Sequence, residues 1–158
     1  MNLDAKRSVL RMFSYSLAVV TAQRGDEAVA STVTWLMQCS FDPPLVAVSI
    51  KRGTRTFELV KTAGAFALNV IGAGQQEIAS AFFRHVAVED GKIGGMPFTS
   101  GVTGAPILSA LPGYVECKVV EWVDRGDHPV FIAEVVEAGV QNALLPLAVR
   151  DTGWNYGG

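Results

Sequence analysis

Residues 30–44 read "ASTVTWLMQCSFDPP", and how this stretch folds decides the architecture. Its β-branched and aromatic residues favour a strand. Pro43 and Pro44 stop it, because proline cannot donate to a ladder. With the two preceding residues, "AVASTVTWLMQCS" (28–40) predicts one strand. Successive side chains of a strand point to opposite sides, so a surface strand needs only one polar face. Here Ser31, Thr32, Thr34, Gln38, Cys39 and Ser40 put hydrogen-bonding groups on both faces. Alternation sends Thr32 and Thr34 one way and Ser31 the other. Such a strand suits a barrel wall whose threonines serve β propensity. It equally suits the wall of a site for a ligand with a polar edge.

Outward from this stretch, strands dominate. "LAVVTAQ" (17–23), "LVAVSI" (45–50) and "AFALNVI" (65–71) read as buried strands, and "RGDE" (24–27) as a turn. "GYVECKVVEWV" (113–123) and "PVFIAEVVEAG" (129–139) are long strands joined by "DRGDH", a hairpin signal on Gly126 and Asp127. Asp4 is placed to cap a helix running to about Tyr15, with Val9, Leu10, Phe13 and Leu17 near one face. "KRGTRTFELVKTAG" (51–64) becomes helical after a polar start and stops at Gly64, and "QQEIASAFF" (75–83) gives another short helix. Residues 84–112 read as a long loop with at most one short strand, and "LPLAVR" (145–150) as a last strand. This pattern predicts a mainly β, single-domain chain over 1–158: an antiparallel barrel with a few short peripheral helices.

Composition narrows the function classes. A formal net charge of -2 with no long basic stretch argues against nucleic acid as a partner. No apolar run approaches the roughly 20 residues of a membrane span. The opening "MNLDAKRSVLRMFSY" lacks the apolar core of a signal peptide, so the expected location is cytoplasmic. Cys39 and Cys117 are isolated, which argues against a disulfide scaffold or a zinc site. "NVIGAGQQEI" (69–78) imitates a dinucleotide fingerprint, but Glu77 stands where the third glycine must allow close helix packing, and repeated βαβ units are missing.

Two places carry candidate chemistry. "KRGTRT" (51–56) sets Lys51, Arg52, Thr54 and Thr56 at a helix start, where free N–H groups and the dipole favour an anion such as phosphate. The same residues also suit a solvated loop with a threonine N-cap. His128, in the hairpin mouth, is placed to orient a substrate, or simply to pair with Asp127. No nucleophile–base pair or metal-ligand cluster stands out, so any chemistry belongs to a bound organic cofactor. A flavin has a broad ring with one polar and one apolar edge. The hydroxyls of 30–44 would meet the first edge and Trp35 the second.

The chain resembles the flavin reductase-like proteins with the FMN-binding split-barrel fold. "LAVVTAQ", "ASTVTW", "SFDPP" and "AFALNVI" are similar to successive elements of that family's N-terminal half, and "APIL", "VECKVV" and "GDHPVFIAEVVEAG" to its second half. Ala30-Ser31 stands where the family has Gly-Met, and "FFRHVAVEDGKIGG" (82–95) follows its pattern loosely, keeping Arg84, Asp90 and Lys92. The resemblance implies an antiparallel split barrel that dimerises with flavin near the interface. It implies that Ser31, Thr32, Val33, Thr34 and Trp35, with Gln38, Cys39 and Ser40, hold the isoalloxazine. It further implies that Lys51, Arg52, Thr54 and Thr56 take the phosphate, and that Arg84 belongs to a loop tied to substrate preference. His128 would lie near flavin and nicotinamide; Trp154 and Tyr156 suit either a lid over the flavin across the dimer or a terminal tail with no role. The implied activity is an NAD(P)H:flavin oxidoreductase using FMN, with FAD or riboflavin as alternative substrates and NADH or NADPH as donor. Reduced flavin would supply a partner monooxygenase or an electron-transfer protein. The competing reading is a flavoredoxin-like carrier that holds FMN and takes electrons from a protein.

Overall fold

The structure is a computed structural model that describes residues 1–158. Helix α1 (Leu3–Leu10) opens the chain, followed by β1 (Ala18–Arg24), β2 (Glu27–Val33), β3 (Leu36–Ser40) and β4 (Leu45–Ser49). Then come α2 (Arg55–Ala63), β5 (Ala65–Val70) and α3 (Gln76–Ala81). Four short strands follow: β6 (Val88–Glu89), β7 (Lys92–Ile93), β8 (Met96–Ser100) and β9 (Pro106–Leu108). The long hairpin β10 (Gly113–Val123) and β11 (Val130–Val140) completes the sheet.

Seven strands form one sheet in the order β2-β1-β5-β10-β11-β4-β3, with every ladder antiparallel. Its two edge strands, β2 and β3, are joined by Thr34 and Trp35 alone. A sheet whose edges are two residues apart along the chain must curl nearly into a cylinder, with a seam at that link. This is the expected antiparallel barrel, split at the stretch 30–44. It also corrects the reading of 28–40 as one strand: the ladder breaks at Thr34-Trp35, and β3 turns away to pair with β4.

Both faces of the first strand are buried. Ala18, Val20 and Ala22 enter the barrel core with Val29, Val48, Phe66 and Phe131, and α2 adds Phe57, Leu59 and Val60. Leu17 and Val19 point the other way, into a second core with Ile71, Phe82, Ile93 and Leu111. The alternation of β2 follows suit, sending Ser31 toward α2 and Thr32 toward α3.

The helix boundaries have local causes. Thr54 caps α2 by accepting from the backbone N–H of Phe57, and Gly64 ends it in the left-handed conformation, φ 68°. At α1 the cap is Asn2, whose side chain accepts from Asp4 and Ala5, and not Asp4 as the sequence suggests. That helix stops at Leu10, short of Tyr15; none of its residues is buried, so no packing extends it. The loop expected at 84–112 instead holds the four-stranded sheet β6-β7-β8-β9. Its strands are too short to show a period, and Ile93 and Leu108 anchor it in the second core. "LPLAVR" forms no strand: it makes single bridges, Ser16 to Ala148 and Gly72 to Pro146, then a 3-10 turn at Val149–Asp151. Gly72 is an ordinary strand-to-helix turn residue; a Cβ there would come within 2.9 Å of Leu144.

Candidate functional site

A cavity of about 560 Å3 opens at the barrel seam. Its floor is the end of β2 and the break after it, Ser31 through Trp35. One wall is the end of β4 and the start of α2, with Ser49, Ile50, Lys51, Thr54 and Thr56. The opposite wall is the end of α3, at Phe82 and Phe83. Trp154, Asn155, Tyr156 and His128 close the mouth.

The floor is partly satisfied from within the protein. Ser31 Oγ and Thr56 Oγ1 are 2.6 Å apart, and Thr32 Oγ1 donates to the Ala79 carbonyl at 2.7 Å. Thr32 N–H donates to the Phe82 carbonyl at 3.1 Å, tying edge strand β2 to α3. Thr34 Oγ1 and Trp35 Nε1 are buried and have no hydrogen-bond partner. A buried unpaired polar atom is costly, and three of the four in this protein, on Thr34, Trp35 and His128, belong to residues that line this one cavity.

At the start of α2, Thr54 does two jobs: its hydroxyl donates to the Lys51 carbonyl at 2.8 Å and accepts from Phe57 N–H at 3.2 Å. Lys51 forms no ion pair, lines the cavity just ahead of the α2 cap, and its charge also acts on the Asp127 carboxylate. Arg52 turns away instead, paired with Asp124 in the β10–β11 hairpin and donating to the Gly126 carbonyl at 3.3 Å. Its hydrogen bond is the main cause holding the Asp124 carboxyl below its usual range. Arg55 bridges Glu27, at 2.8 Å, and His85 Nε2, at 2.9 Å.

His128 sits at the mouth with its side chain only 13% exposed. Its Nε2 is 2.8 Å from the Tyr156 hydroxyl. Its Nδ1 is 3.0 Å from Asp127 Oδ1, close enough for charge pairing but off the line of a hydrogen bond. His128 is nonetheless the first cause that holds the Asp127 carboxyl below its ordinary value. Trp35 meets the imidazole edge-on at 4.8 Å between centroids and the Tyr156 ring at 5.3 Å. Burial, and then the charge of Asp127, pushes the Tyr156 phenol up.

Of the residues singled out from the sequence, Ser31, Thr32, Val33, Thr34, Trp35, Lys51, Thr54, Thr56, His128, Trp154 and Tyr156 line this one cavity. Gln38, Cys39, Ser40, Arg52 and Arg84 are not among its lining residues. The strand break carries Gln38, Cys39 and Ser40 onto β3, where Gln38 donates to the Ser40 carbonyl at 3.2 Å and Cys39 is exposed. Sequence reasoning missed Leu17, Ser49, Ile50, Phe82, Phe83, Val149 and Asn155. Most are apolar and indistinguishable from core residues along the chain; the one local signal was the doublet Phe82-Phe83 ending a short helix.

The family model described as the flavin reductase like domain matches residues 10–155. The chain belongs to that family. It is 33% identical over 141 residues to the NADH-dependent flavin reductase StyB of Pseudomonas fluorescens, covering 89% of this chain and 80% of that protein. It is 26% identical over 141 residues to diflavin flavoprotein A 1 of a Synechocystis species, covering 89% of this chain and 24% of that protein. The first curated relatives it matches are longer: the chain spans 42%, 21% and 24% of their lengths. Among solved structures, the styrene monooxygenase flavin reductase of Pseudomonas putida superposes with a TM-score of 0.76 at 30% identity, covering 94% of this chain and 91% of that one. An FMN-binding protein from Thermus thermophilus superposes with a TM-score of 0.73 at 29% identity, covering 82% and 72%.

Proposed function

We propose that residues 1–158 form one flavin-binding unit that holds FMN in the seam cavity and reduces flavin with NADH or NADPH. The observation that carries this reading is one cavity lined both by Ser31 through Trp35 and by Lys51, Thr54 and Thr56 at a capped helix start. A donor, a hydroxyl and an anion site along one apolar-walled cavity match a flat ring with a polar edge and a phosphate tail. Its volume also falls in the range of small-molecule sites, roughly 300–1,000 Å3.

In this reading Lys51 and the N–H groups at the start of α2 hold the phosphate, and Thr34 and Trp35 meet the polar edge of the ring. Phe82, Phe83 and Trp154 cover its apolar part and exclude water. Bound flavin supplies the ring that accepts a hydride from reduced nicotinamide. His128 lies at the mouth and orients the nicotinamide carboxamide through Nε2. The name of the Pseudomonas fluorescens relative supports NADH as a donor, and that of the Thermus protein supports FMN. The styrene monooxygenase reductase supports a partner oxygenase that consumes the reduced flavin.

A second copy of the chain is the proposed cover for α1 and the segment after it, where Leu3 and Val9, then Met12 and Phe13, are exposed. Aromatic contacts run from Phe13 through Tyr15 to Trp35, which places that surface next to the cavity.

One observation favours the carrier alternative: Tyr156 already occupies Nε2 of His128. Steady-state oxidation of NADH or NADPH with excess free FMN decides between them. Sustained turnover supports the reductase; tight FMN binding without nicotinamide oxidation supports the carrier.

A further inference from the structure

His128 lines the cavity, and its Nε2 already has a partner. Asp127 Oδ1 lies 3.0 Å from Nδ1 without the alignment of a hydrogen bond. The Tyr156 hydroxyl is 2.8 Å from Nε2 and shares a hydrogen bond with it. The Tyr156 ring also leans on the Trp35 indole at 5.3 Å. The following backbone passes so close that a Cβ at Gly157 would stand 3.0 Å from the same indole.

The segment is anchored at Trp154, which packs on the second core, while the residues after it have fewer ties. Residues 154–158 form no helix or strand. Beyond the His128 contact, it is tied by the donation of Arg11 Nε to the Gly157 carbonyl at 3.2 Å and by Phe83 against Trp154 at 4.9 Å. Gln76 Nε2 donates to the Thr152 carbonyl just upstream at 2.9 Å.

We propose that Tyr156 is an internal competitor for the nicotinamide carboxamide: its hydroxyl and ring occupy the His128–Trp35 corner, and the donor binds by displacing them. This rests on the reductase reading of the cavity. Its consequence is that the free energy of opening the Tyr156–His128 contact is subtracted from donor affinity, so donor binding is weaker than the open site would give. Flavin affinity is untouched, because Tyr156 makes no hydrogen bond to Thr34, Lys51 or Thr54. Tyr156 thereby sets the donor concentration at which the protein works.

The test uses Tyr156→Phe, which keeps the ring and removes the hydroxyl, and Tyr156→Ala, which removes both. In the flavin-free protein, the imidazole nitrogen signals of His128 in NMR should shift in Tyr156→Phe as Nε2 loses its hydrogen-bond partner. NAD+ titrated calorimetrically into the FMN-loaded proteins should bind Tyr156→Phe roughly two- to tenfold more tightly than the parent, the equivalent of one net hydrogen bond, and Tyr156→Ala at least as tightly. FMN affinity should stay the same in all three. Unchanged imidazole signals, or NAD+ binding that is equal or weaker in both variants, overturns the proposal; weaker binding would make Tyr156 part of the donor site. FMN binding without NAD+ binding in any of the three overturns the reductase reading, and this proposal with it.

Discussion

Thr34 and Trp35 pull stability and binding in opposite directions. In the protein alone, the Thr34 hydroxyl is buried without a partner. Thr34→Val keeps the shape and removes the unsatisfied atom. It should raise unfolding stability by about 1 kcal/mol in denaturant melts while weakening FMN binding several-fold in a fluorescence titration. A loss on both counts would mean that the hydroxyl serves the fold. The phosphate assignment rests on Lys51. Lys51→Ala should weaken FMN more than riboflavin, which lacks the phosphate; equal losses would refute the assignment. Thr54 is less diagnostic, because its hydroxyl caps α2: Thr54→Ala should cost about 1 kcal/mol of stability. The anion-suited character of "KRGTRT" was legible because the motif is local. The diversion of Arg52 to Asp124 was not, because the two are 72 residues apart in sequence.

At the scale of elements, "VECKVV" carried part of the family resemblance, and the structure gives it a structural role. Glu116 on β10 is 1% exposed, and its carboxylate accepts from Val102 N–H, Thr103 N–H and Thr103 Oγ1 at 3.0, 2.8 and 2.7 Å. It pins the turn between β8 and β9. Glu116→Ala strands those donors and should destabilise by about 3 kcal/mol in denaturant melts, with little change in FMN affinity. Cys117 beside it is fully buried, and burial pushes its thiol up to about 12. A native-state thiol assay should therefore label only the exposed Cys39, with the second equivalent appearing on unfolding. The long strands β10 and β11 were legible from length and turn chemistry. The break at Thr34-Trp35 was not, because neither glycine nor proline marks it; it follows from ladders that form elsewhere. The small sheet in 84–112 escaped for the same reason, since two-residue strands leave no period to read.

At the scale of the whole molecule, the barrel was readable because strand signals recur with short links and no βαβ alternation. Its closure at the seam, which makes the cavity, depends on the antiparallel order of seven strands and not on any one segment. The exposed apolar surface of α1 and of Met12 and Phe13 after it belongs to this scale too. Light scattering should give a particle of about twice the 16.8 kDa chain mass, and Phe13→Asp should shift it toward one chain. A monomer at micromolar concentration would remove the second copy from the account. The central claim, that the seam cavity holds flavin open to a nicotinamide donor, is tested most directly by rapid mixing of the FMN-loaded protein with NADH or NADPH in the absence of oxygen. The account predicts that the blue absorption band of the flavin bleaches in a single turnover, more slowly in His128→Ala, whose FMN affinity stays within a few-fold. A flavin that stays bound and fully coloured at millimolar NADH and NADPH would contradict it.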